Sequence, residues 1–597
     1  MFRISSIAVI SVFAFQTALA NKLECLYVYG NGDLRITTQI LSQPSGTVGP
    51  ATLLKIQQSL GLDEINFKYL QVLMGAYGES IRSVKNDSTI VIADHGNLEQ
   101  ALGKTSMVVP TAIASKSLMK SVPVTDYASI AAKKADYEAA TPEVKFWVKK
   151  LMAGTGSGIV RVEFLKEIYQ KLGKSASIKI GSKGTDLHAE VEIDGQIHIL
   201  NIAELQILQL LAQSDKYKQV IFHDVVSNET QQSIETTWSK HSPLFNGKTL
   251  SDVAAEKGEV RSGPTVQFHI PTIGETGALT KERLAPAGHG LFAIEAVYAT
   301  LKDNLPKTKK GESLIGVIGN GEDLMSTPSS DIVGWMAKEQ LPLVMVTTEK
   351  TALDKQGGQI AIGFNSKGQE YVTIVEKAQA ETAVKKGHPE QMDLFAALGL
   401  RANVIAPDLI TNTKKQKGAD GIEKSFVQLE GAMGSVVLKL DRLYRETFNG
   451  QPLVHFLNIG KDHRTQYFAP IKSGFDFFMQ FHSDRFIVDG HAFKIVDQRP
   501  GAIPKVTLVD DFYKEAANVL KAFKGAKILE LDELSIEGAG VLMPGLKLSG
   551  VVKVKNLSGQ VVHLPTLLQQ NKFKGVELKN VSFTIDSEGS LMITAAQ

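Results

Sequence analysis

The feature that most constrains the fold is an alternation of short apolar runs with helical patterns through the middle of the chain. Apolar runs at 219–222, 314–318 and 343–346 are each bounded by polar or glycine-containing turns, and helical patterns at 292–301 and 331–339 separate them. Continuous apolar strands separated by helices are typical of a mainly parallel sheet covered by helices. In such sheets ligands bind at the carboxyl ends of the strands, so we expect the functional residues in the loops that follow them.

Length and composition are those of a globular protein with several domains. The chain has 597 residues, of which 43% are hydrophobic and 21% charged, and this permits a large buried core. Its 65 basic and 63 acidic side chains leave a net charge of +2, which argues against nucleic acid as a partner. The single cysteine, Cys25, excludes an intramolecular disulfide and any metal site built on several cysteines.

The first twenty residues have the pattern of a secretory signal peptide. Arg3 precedes a mostly apolar run at 4–15, and Ala18, Leu19 and Ala20 form a small-x-small cleavage pattern. The apolar run is too short for a comfortable membrane span, and no later segment of the sequence predicts one. We therefore expect an exported protein, periplasmic or secreted, with a buried N-terminal helix as the alternative.

Four parts are predicted along the chain: the signal peptide 1–20, a partly helical region 21–150, an α/β domain 151–505 and a C-terminal domain 506–597. From residue 526 onward apolar residues recur at short spacing, with glycines at the turns. This pattern favours stacked short strands in a solenoid or β-helix, and a small sandwich is the alternative.

Two glycine-bearing loops are candidates for binding phosphate. Gly181, Lys183 and Gly184 follow a predicted strand at 177–180, and their N–H groups and ammonium group are suited to cradle a phosphate. A second loop, 153–158, contains three glycines but follows a segment that reads as helical. For each loop, a plain turn is the alternative.

Two adjacent acids, Glu322 and Asp323, follow the apolar run at 314–318. Carboxylates at the carboxyl end of a strand suit a hard divalent ion such as Mg²⁺, which prefers oxygen ligands and shares them with phosphates. The alternative is a capping turn, in which a carboxylate accepts backbone N–H groups.

A short motif precedes the helical pattern at 292–301: residues 284–290 read Leu-Ala-Pro-Ala-Gly-His-Gly. Gly288 and Gly290, on either side of His289, let a backbone approach a flat or charged ligand closely, and a helix start offers unpaired N–H groups. A turn that merely enters a helix is the alternative.

In their order along the chain, these blocks resemble the UTP–glucose-1-phosphate uridylyltransferase (UDP-glucose pyrophosphorylase) family of eukaryotic type, from about residue 175 to the C terminus. Residues 286–290 are similar to the family's Pro-Pro-Gly-His-Gly, 319–324 to its Ser-Asn-x-Asp-Asn-Leu and 350–358 to its Lys-Thr-x-x-Asp-x-x-Gly-Gly. Blocks at 428–434, where the sequence predicts a turn into a helix at Glu430, and at 470–472 also match in order. The resemblance implies an α/β fold with a mixed, mainly parallel sheet of nucleotide-diphospho-sugar transferase (Rossmann-like) type and a C-terminal β-helix-like domain.

The resemblance also implies a reaction and its residues. In that family a sugar 1-phosphate attacks the α-phosphate of UTP, Mg²⁺ assists, and pyrophosphate leaves. The implied roles are phosphate neutralisation by Lys472 and Lys350; nucleotide binding by Gly181, Lys183, Gly184, Gly288, His289 and Gly290; sugar binding by Glu376, Asn403, Glu430 and Gly358; and metal binding by Glu322 and Asp323. We expect Lys472, Lys350, Glu322 and Gly288 to line one pocket. The oligomeric state is left open.

The chain also departs from the family pattern. The family's Leu-Asn-Gly-Gly-x-Gly-Thr loop and its Gly-Pro-Lys are absent as such, and IKIGSKGTDLHA stands in their place, which leaves Lys183 to meet the phosphates. Glu322 stands where an aspartate is usual, and the family's uracil-reading glutamine falls on Ile270, with Gln267 close by. The alternative is therefore an exported, non-catalytic descendant that binds a sugar nucleotide or a protein partner.

Overall fold

A computed structural model describes the following parts of the chain, and the structural statements below refer to them: residues 50–67, 69–70, 73–74, 91–93, 106–108, 123–156, 158–173, 178–274, 279–291, 306–349, 359–364, 370–375, 400–402, 410–417, 423–431, 437–438, 441, 445, 451–501, 503–573 and 575–595.

The α-helices lie in both halves of the chain and most are short. In chain order they are α1 (Pro50–Leu60), α2 (Tyr127–Ala131), α3 (Lys134–Glu138), α4 (Val162–Lys171), α5 (Lys183–Asp186), α6 (Ile202–Ala212), α7 (Gln231–Ser239), α8 (Leu250–Glu256), α9 (Ser330–Glu339), α10 (Gly474–Phe481), α11 (Ala516–Ala522) and α12 (Leu564–Gln570). Among the described helices, none has both the length and the apolar character needed to cross a bilayer.

The strands are numbered in the same way. They are β1 (Val91–Ala93), β2 (Ser106–Val108), β3 (Val124–Asp126), β4 (Val144–Leu151), β5 (His188–Ile193), β6 (Gln196–Asn201), β7 (Gln219–Ser227), β8 (Val260–Arg261), β9 (Thr265–Gln267), β10 (His269–Ile273), β11 (Leu279–Pro286), β12 (Ser313–Asn320), β13 (Leu343–Glu349), β14 (Gln359–Phe364), β15 (Glu370–Val375), β16 (Leu400–Ala402), β17 (Ile410–Lys417), β18 (Glu423–Glu430), β19 (Val454–Ile459), β20 (Phe486–Asp489), β21 (Lys494–Asp497), β22 (Lys505–Leu508), β23 (Leu531–Gly538), β24 (Val541–Leu542), β25 (Lys547–Asn556), β26 (Val562–His563), β27 (Glu577–Ile585) and β28 (Leu591–Ala595).

The described residues pack as two units, each drawn from several segments. Unit A lies within 133–266, 308–338 and 461–597, and unit B lies within 1–132, 267–307 and 339–460. The division predicted from the sequence, at residues 20, 150 and 505, stays a prediction.

A parallel sheet forms the centre of unit A, in the order β12-β4-β7-β8. Every residue of β7 after the first is buried, as expected for an inner strand of a parallel sheet. β12 and β4 pair in register, with Asn320 opposite Leu151. The loops that follow these two strands therefore leave the sheet at the same edge, which is where ligand sites occur in such folds.

Helix α6 packs in the core of unit A. All of its residues from Ile202 to Leu211 are buried, including Gln206. Asn201 and Glu204 close its N terminus as a reciprocal capping box, which satisfies backbone N–H groups that would otherwise be buried without partners. The helix therefore offers a fixed base from which Gln206 reaches the neighbouring loop.

Unit B contains two sheets. The larger is mixed, in the order β1-β2-β14-β16-β13-β19-β3 with β15 beside β14, and its β13–β19 and β19–β3 pairs are parallel. The smaller is antiparallel, in the order β11-β10-β18-β17. In the larger sheet, Met345 on β13 and Phe456 on β19 are buried.

The C-terminal strands of unit A stack in parallel. One sheet has the order β22-β23-β25-β27 with antiparallel β28 at its edge, and β24 pairs in parallel with β26. Leu534 and Val552 lie opposite each other on adjacent strands, and both are fully buried. Short stacked strands are therefore present, and their arrangement as a β-helix stays a prediction.

The expected α/β class is confirmed, with mixed and mainly parallel sheets. The runs at 219–222, 314–318 and 343–346 lie in β7, β12 and β13, and the pattern at 331–339 lies in α9. The helical pattern at 292–301 lies almost wholly outside the described residues.

Three local predictions were wrong. The segment before residue 153 is not helical but forms β4, which carries the buried lysines Lys149 and Lys150 and so lacks the apolar composition of an inner strand. Residues 178–180 are not in a strand, and 183–186 form the short helix α5, which Ser182 caps by accepting the N–H of Gly184. Glu430 does not enter a helix but ends β18.

Candidate functional site

Three charged side chains of unit A converge beside the sheet edge where β4 and β12 end. The Glu322 carboxylate follows β12, and its Oε1 lies 3.1 Å from Nζ of Lys183 and 3.0 Å from Nζ of Lys472. Lys183 also donates to the carbonyl oxygen of Ile471, at 2.8 Å. Lys183 and Lys472, hereafter the lysine pair, therefore meet at one anionic oxygen.

The members of this cluster differ in exposure. The side chains of Lys183 and Glu322 are 11% and 16% exposed, whereas that of Lys472 is 58% exposed. Burial alone raises the pKa of the Glu322 carboxyl, but the two ammonium groups outweigh it, so its pKa is lowered overall. Burial lowers the pKa of the Lys183 ammonium group more than Glu322 raises it.

The loop after β4 passes against the lysine pair. Gly156 has a φ of +65°, and a Cβ atom there would lie 2.3 Å from Cγ of Lys183. A Cβ atom at Gly158 would lie 3.7 Å from the carbonyl oxygen of Lys472. Only a residue without a side chain allows the backbone of this loop to lie so close to Lys183.

A buried arginine joins the two glycine-bearing loops. Arg161 donates to the carbonyl oxygens of Thr155 at 2.5 Å and Gly181 at 3.0 Å, and to the Asp186 carboxylate at 2.8 Å. The same carboxylate accepts the N–H of Gly181, at 2.9 Å. Arg161 is 2% exposed, so the pair it forms with Asp186 is shielded from solvent. Burial raises the pKa of the Asp186 carboxyl, against the opposing effect of the Arg161 guanidinium.

Glycines also allow the first turn of α5 and the loop after β12 to touch. A Cβ atom at Gly184 would lie 2.4 Å from the carbonyl oxygen of Gly321, and one at Gly181 would lie 2.5 Å from Oγ of Ser233. The two predicted nucleotide-binding glycines therefore stand where the backbone is closely packed.

The Asp323 carboxylate binds backbone N–H groups and so has a structural role. Its carboxylate is buried and accepts the N–H groups of Met325 at 2.9 Å and of Ala469 at 3.2 Å, so it ties the loop after β12 to the segment that carries Lys472. Gln206 holds the same loop by donating to the carbonyl oxygens of Asn320 and Asp323, at 3.1 and 2.7 Å. Burial raises the pKa of the Asp323 carboxyl to about 6, although the two N–H groups act against it.

In this arrangement Glu322 and Asp323 do not fit a divalent ion. Glu322 Oε1 contacts two ammonium groups, and the Asp323 carboxylate is taken up by backbone N–H groups. Within the described segments, no three His, Cys, Asp or Glu side chains come together in a way that could hold a metal. Mg²⁺ binding at these two residues stays a prediction, which this arrangement of the two carboxylates does not support.

The motif around His289 lies in unit B. The backbone after β11 turns at Gly288, which has a φ of +81°. The N–H of Gly290 donates to the carbonyl oxygen of Gly431, and the N–H of Gly431 donates to that of Ala287, both at 2.9 Å. Gln267, which the sequence places near the position of a uracil-reading glutamine, donates to the carbonyl oxygen of Gly288 at 2.6 Å. Hydrogen bonds with Gly431 and Gln267 therefore hold the turn at Gly288 in place.

The other predicted site residues cannot be placed. Lys350, Gly358, Glu376 and Asn403 lie outside the described residues, and of Glu430 only the backbone is described. Their roles stay predictions.

Sequence reasoning missed Arg161, Asp186 and Gln206. Arg161 follows the glycine loop by a few residues and reads as a cation at the start of a helix, and Gln206 reads as a polar position of α6. Their function in holding the loops depends on partners far away in sequence, such as the Gln206 contact with Asn320. For Arg161, the sequence offers one signal, which is a long polar side chain close to the glycine loop at 153–158.

Comparison with known proteins identifies the relatives of this chain. A family model described as UTP–glucose-1-phosphate uridylyltransferase matches residues 265–548. The chain is 25% identical over 295 residues to UTP–glucose-1-phosphate uridylyltransferase 2 of Dictyostelium discoideum, which covers 47% of this chain and 53% of the relative. It is 28% identical over 287 residues to UTP–glucose-1-phosphate uridylyltransferase of Saccharomyces cerevisiae, covering 47% and 54%. The chain thus spans about half the length of the curated relatives it matches.

Solved structures show the same fold over a larger part of the chain. A mutant UDP-glucose pyrophosphorylase from Leishmania major, solved with UDP-glucose, superposes with a TM-score of 0.58 at 17% identity, covering 89% of this chain and 98% of that one. A UDP-glucose phosphorylase from Trypanosoma brucei superposes with a TM-score of 0.55 at 17% identity, covering 90% and 99%. At this identity the likeness concerns the fold.

Proposed function

We propose, from the chain's place as a divergent member of the UTP–glucose-1-phosphate uridylyltransferase family, that it transfers a uridylyl group from UTP to a sugar 1-phosphate. An oxygen of the sugar phosphate attacks the α-phosphorus of UTP and forms the new P–O bond. The bond from the α-phosphorus to the bridging oxygen breaks, and pyrophosphate leaves with that electron pair. Glucose 1-phosphate is the first sugar to test, because the relatives are named for it.

One observation carries this proposal: two lysine ammonium groups meet at a single anionic oxygen, within 3.1 Å. Phosphoryl transfer of this kind needs no covalent nucleophile, and its catalysis is positioning plus neutralisation of phosphate charge. We assign that neutralisation to Lys183 and Lys472, with Lys350 as a further candidate. Gly156 lies beside the Lys183 side chain, and we assign to its loop a second role, namely that backbone N–H groups contact the same anion.

The remaining roles are proposed from the resemblance. Gly181, Gly184, Gly288, His289 and Gly290 are assigned to the nucleotide, with Gln267 close to the last three. Glu376, Asn403, Glu430 and Gly358 are assigned to the sugar. We also propose that the stacked strands from residue 526 onward form the family's β-helix.

The direct test is pyrophosphate release. Purified protein with UTP, Mg²⁺ and a panel of sugar 1-phosphates should release pyrophosphate and form a UDP-sugar with at least one sugar. Lys472→Ala should lower the rate about a hundredfold or more, because it removes one phosphate-neutralising charge. Lys166→Ala, which removes an exposed lysine paired with Glu163, is the control and should keep the rate. No release with any sugar, under conditions where the protein is folded, overturns the proposal.

The alternative, an exported protein that binds a sugar nucleotide without turnover, is tested in the same preparation. Calorimetric titration with UDP-glucose distinguishes the two functions: tight binding with no pyrophosphate release supports the binder. Export itself stays a proposal from residues 1–20, and a mature N terminus at Asn21 in protein recovered outside the cytoplasm would support it.

A further inference from the structure

We propose that Glu322 is an internal counter-ion which takes the position of a phosphate oxygen in the lysine pair, and that a pyrophosphate-class anion must displace it to bind. The inference rests on the proposed function, because it concerns the same phosphate site. It assigns to Glu322 a role opposed to metal binding, namely competition with the substrate's phosphates for Lys183 and Lys472.

The contacts of Glu322 are those of a bound anion. One oxygen, Oε1, accepts both ammonium groups, at 3.1 Å and 3.0 Å. A phosphate oxygen between two lysines is bound by the same kind of charge-assisted hydrogen bonds, at the same distances. The carboxylate thus occupies the place of highest positive charge in the cluster.

The lysine pair has one fixed and one adaptable member. Lys183 is held by its bond to the carbonyl oxygen of Ile471 and by its stem packing on Gly156. Lys472 has a side chain that is 58% exposed on a flexible four-carbon stem. An anion that enters from solvent can therefore be met by Lys472 first and brought to Lys183.

Displacement of the Glu322 side chain does not require the loop to move. The backbone of the loop is held by Gln206 and by the Asp323 carboxylate, which bonds to Met325 and Ala469. Glu322 itself accepts the N–H of Ile471 through its backbone oxygen, at 3.4 Å. Its side chain has three rotatable bonds beyond this anchored backbone, one more than an aspartate has, so it can leave the lysine pair by a change of rotamer.

The consequence is a resting site with reduced affinity for anions. With Glu322 in place the three side chains carry a net charge of +1, and without its charge they would carry +2. Replacement of Glu322 by glutamine keeps the shape of the side chain and removes the competing charge. We therefore expect Glu322→Gln to bind pyrophosphate about tenfold more tightly than the wild type.

The test is calorimetric titration of the full chain with pyrophosphate in magnesium-free buffer. Glu190→Gln is the matched control, because it removes a glutamate that pairs with a lysine, Lys171, at 2.7 Å on the surface of the same unit. We expect tighter binding for Glu322→Gln, no change for Glu190→Gln, and loss of the gain when Lys472→Gln is added to Glu322→Gln.

Equal or weaker pyrophosphate binding by a folded Glu322→Gln protein overturns the inference. If thermal denaturation shows that this variant does not fold, Glu322→Ala decides, because it also removes the competing charge: tighter binding than the wild type supports the inference, and equal or weaker binding overturns it. The outcome is separable from that of the proposed function. A gain in pyrophosphate affinity without any release from UTP keeps the inference and contradicts uridylyl transfer, whereas release from UTP without the gain does the reverse.

Discussion

Arg161 is the side chain on which the two glycine-bearing loops of the site depend. Its guanidinium bonds to the carbonyl oxygens of Thr155 and Gly181, and to the carboxylate of Asp186. A guanidinium has five N–H donors in a fixed plane, so it can hold several carbonyl groups and a carboxylate at once in fixed directions. Arg161 is therefore a positioning residue for the backbone around Lys183.

Removal of this guanidinium should lower the free energy of unfolding of the protein. Arg161→Ala leaves the Asp186 carboxylate buried without its partner, and breaking a buried ion pair from one side lowers the free energy of unfolding by about 3–5 kcal/mol. Arg499→Ala is the control, because the side chains of its pair with Asp532 are 31% and 53% exposed, and it should cost about 1 kcal/mol or less. Denaturant unfolding followed by circular dichroism measures both. A loss below about 1 kcal/mol for Arg161→Ala would contradict the structural role.

The residues of the cluster could be named from the sequence, but their contacts could not. The order of the motifs pointed to Lys183, Glu322 and Lys472, since each stands in a loop with the composition that phosphate binding requires. That both lysines bond to one oxygen of Glu322 depends on how three loops pack, and residue types do not specify this. Arg161 was missed for the same reason, because its partners Thr155 and Gly181 are backbone groups.

At the scale of elements, the site depends on close approach between the loop that begins α5 and the loop that follows β12. Gly184 is the point of contact, since a Cβ atom there would lie 2.4 Å from the backbone oxygen of Gly321. A backbone atom cannot give way as a flexible side chain can. The two loops must therefore separate if Gly184 gains a side chain.

Gly184→Ala should destabilise the protein by about 1–3 kcal/mol, the usual cost of overpacking. Gly154→Ala is the matched control: it lies in the neighbouring loop, where an added Cβ would meet no atom within 4 Å, and it should change stability by about 0.5 kcal/mol or less. Thermal or denaturant unfolding of the two variants side by side checks the difference. Equal stability of the two variants would show that the loops are not in contact.

Lys150, at the end of strand β4, should make the stability of the protein depend on pH. Lys150 is buried, its Nζ donates to the hydroxyls of Ser326 and Thr327, and burial lowers its pKa to about 8. In the unfolded chain the pKa of a lysine is near 10.5, so between pH 8 and 10.5 the unfolded state binds more protons than the folded state. The free energy of unfolding therefore increases as the pH rises through that interval, and this increase is lost as the pH falls back through it, so that none remains below pH 8.

Lys150→Met should lack this contribution, which amounts to about 3 kcal/mol over the interval. The measurement is denaturant unfolding of wild type and variant at pH 7.5 and pH 10. We expect the difference in stability between them to shift in favour of the wild type at the higher pH, whereas Lys166→Met, at an exposed position, should show no such shift. Parallel pH profiles for wild type and Lys150→Met would contradict the burial of this ammonium group.

The elements themselves were predicted with uneven success. β7, β12 and β13 contain the apolar runs by which they were predicted, but of the three only β7 is an inner strand with parallel neighbours on both sides, whereas β12 lies at the edge of its sheet and β13 is antiparallel to β16. The sequence of β4 reads as helical because Lys149 and Lys150 interrupt its apolar pattern, and only the pairing with β7 and β12 shows that an inner strand carries them. The Ile-Lys-Ile run at 178–180 alternates like a strand but is not part of one.

For the whole molecule, the fold class could be predicted from the sequence, but the division into two packed units could not. Alternating strands and helices specify an α/β class, and the solved structures with the same fold cover about nine tenths of the chain. The units are each drawn from three separate stretches, which no boundary in composition reveals. The glycine loop at 153–158 and Lys183 both lie before the stretch that the family model matches. Their contact is seen only in the structure, because nothing in the sequence relates the two segments.

A crystal structure of the protein with bound UTP would show whether the lysine pair receives the phosphates of the nucleotide. We expect a phosphate oxygen within about 3 Å of Nζ of both Lys183 and Lys472, with the Glu322 carboxylate moved away from them. UTP bound elsewhere, while both lysines keep their contacts with Glu322, would contradict this expectation.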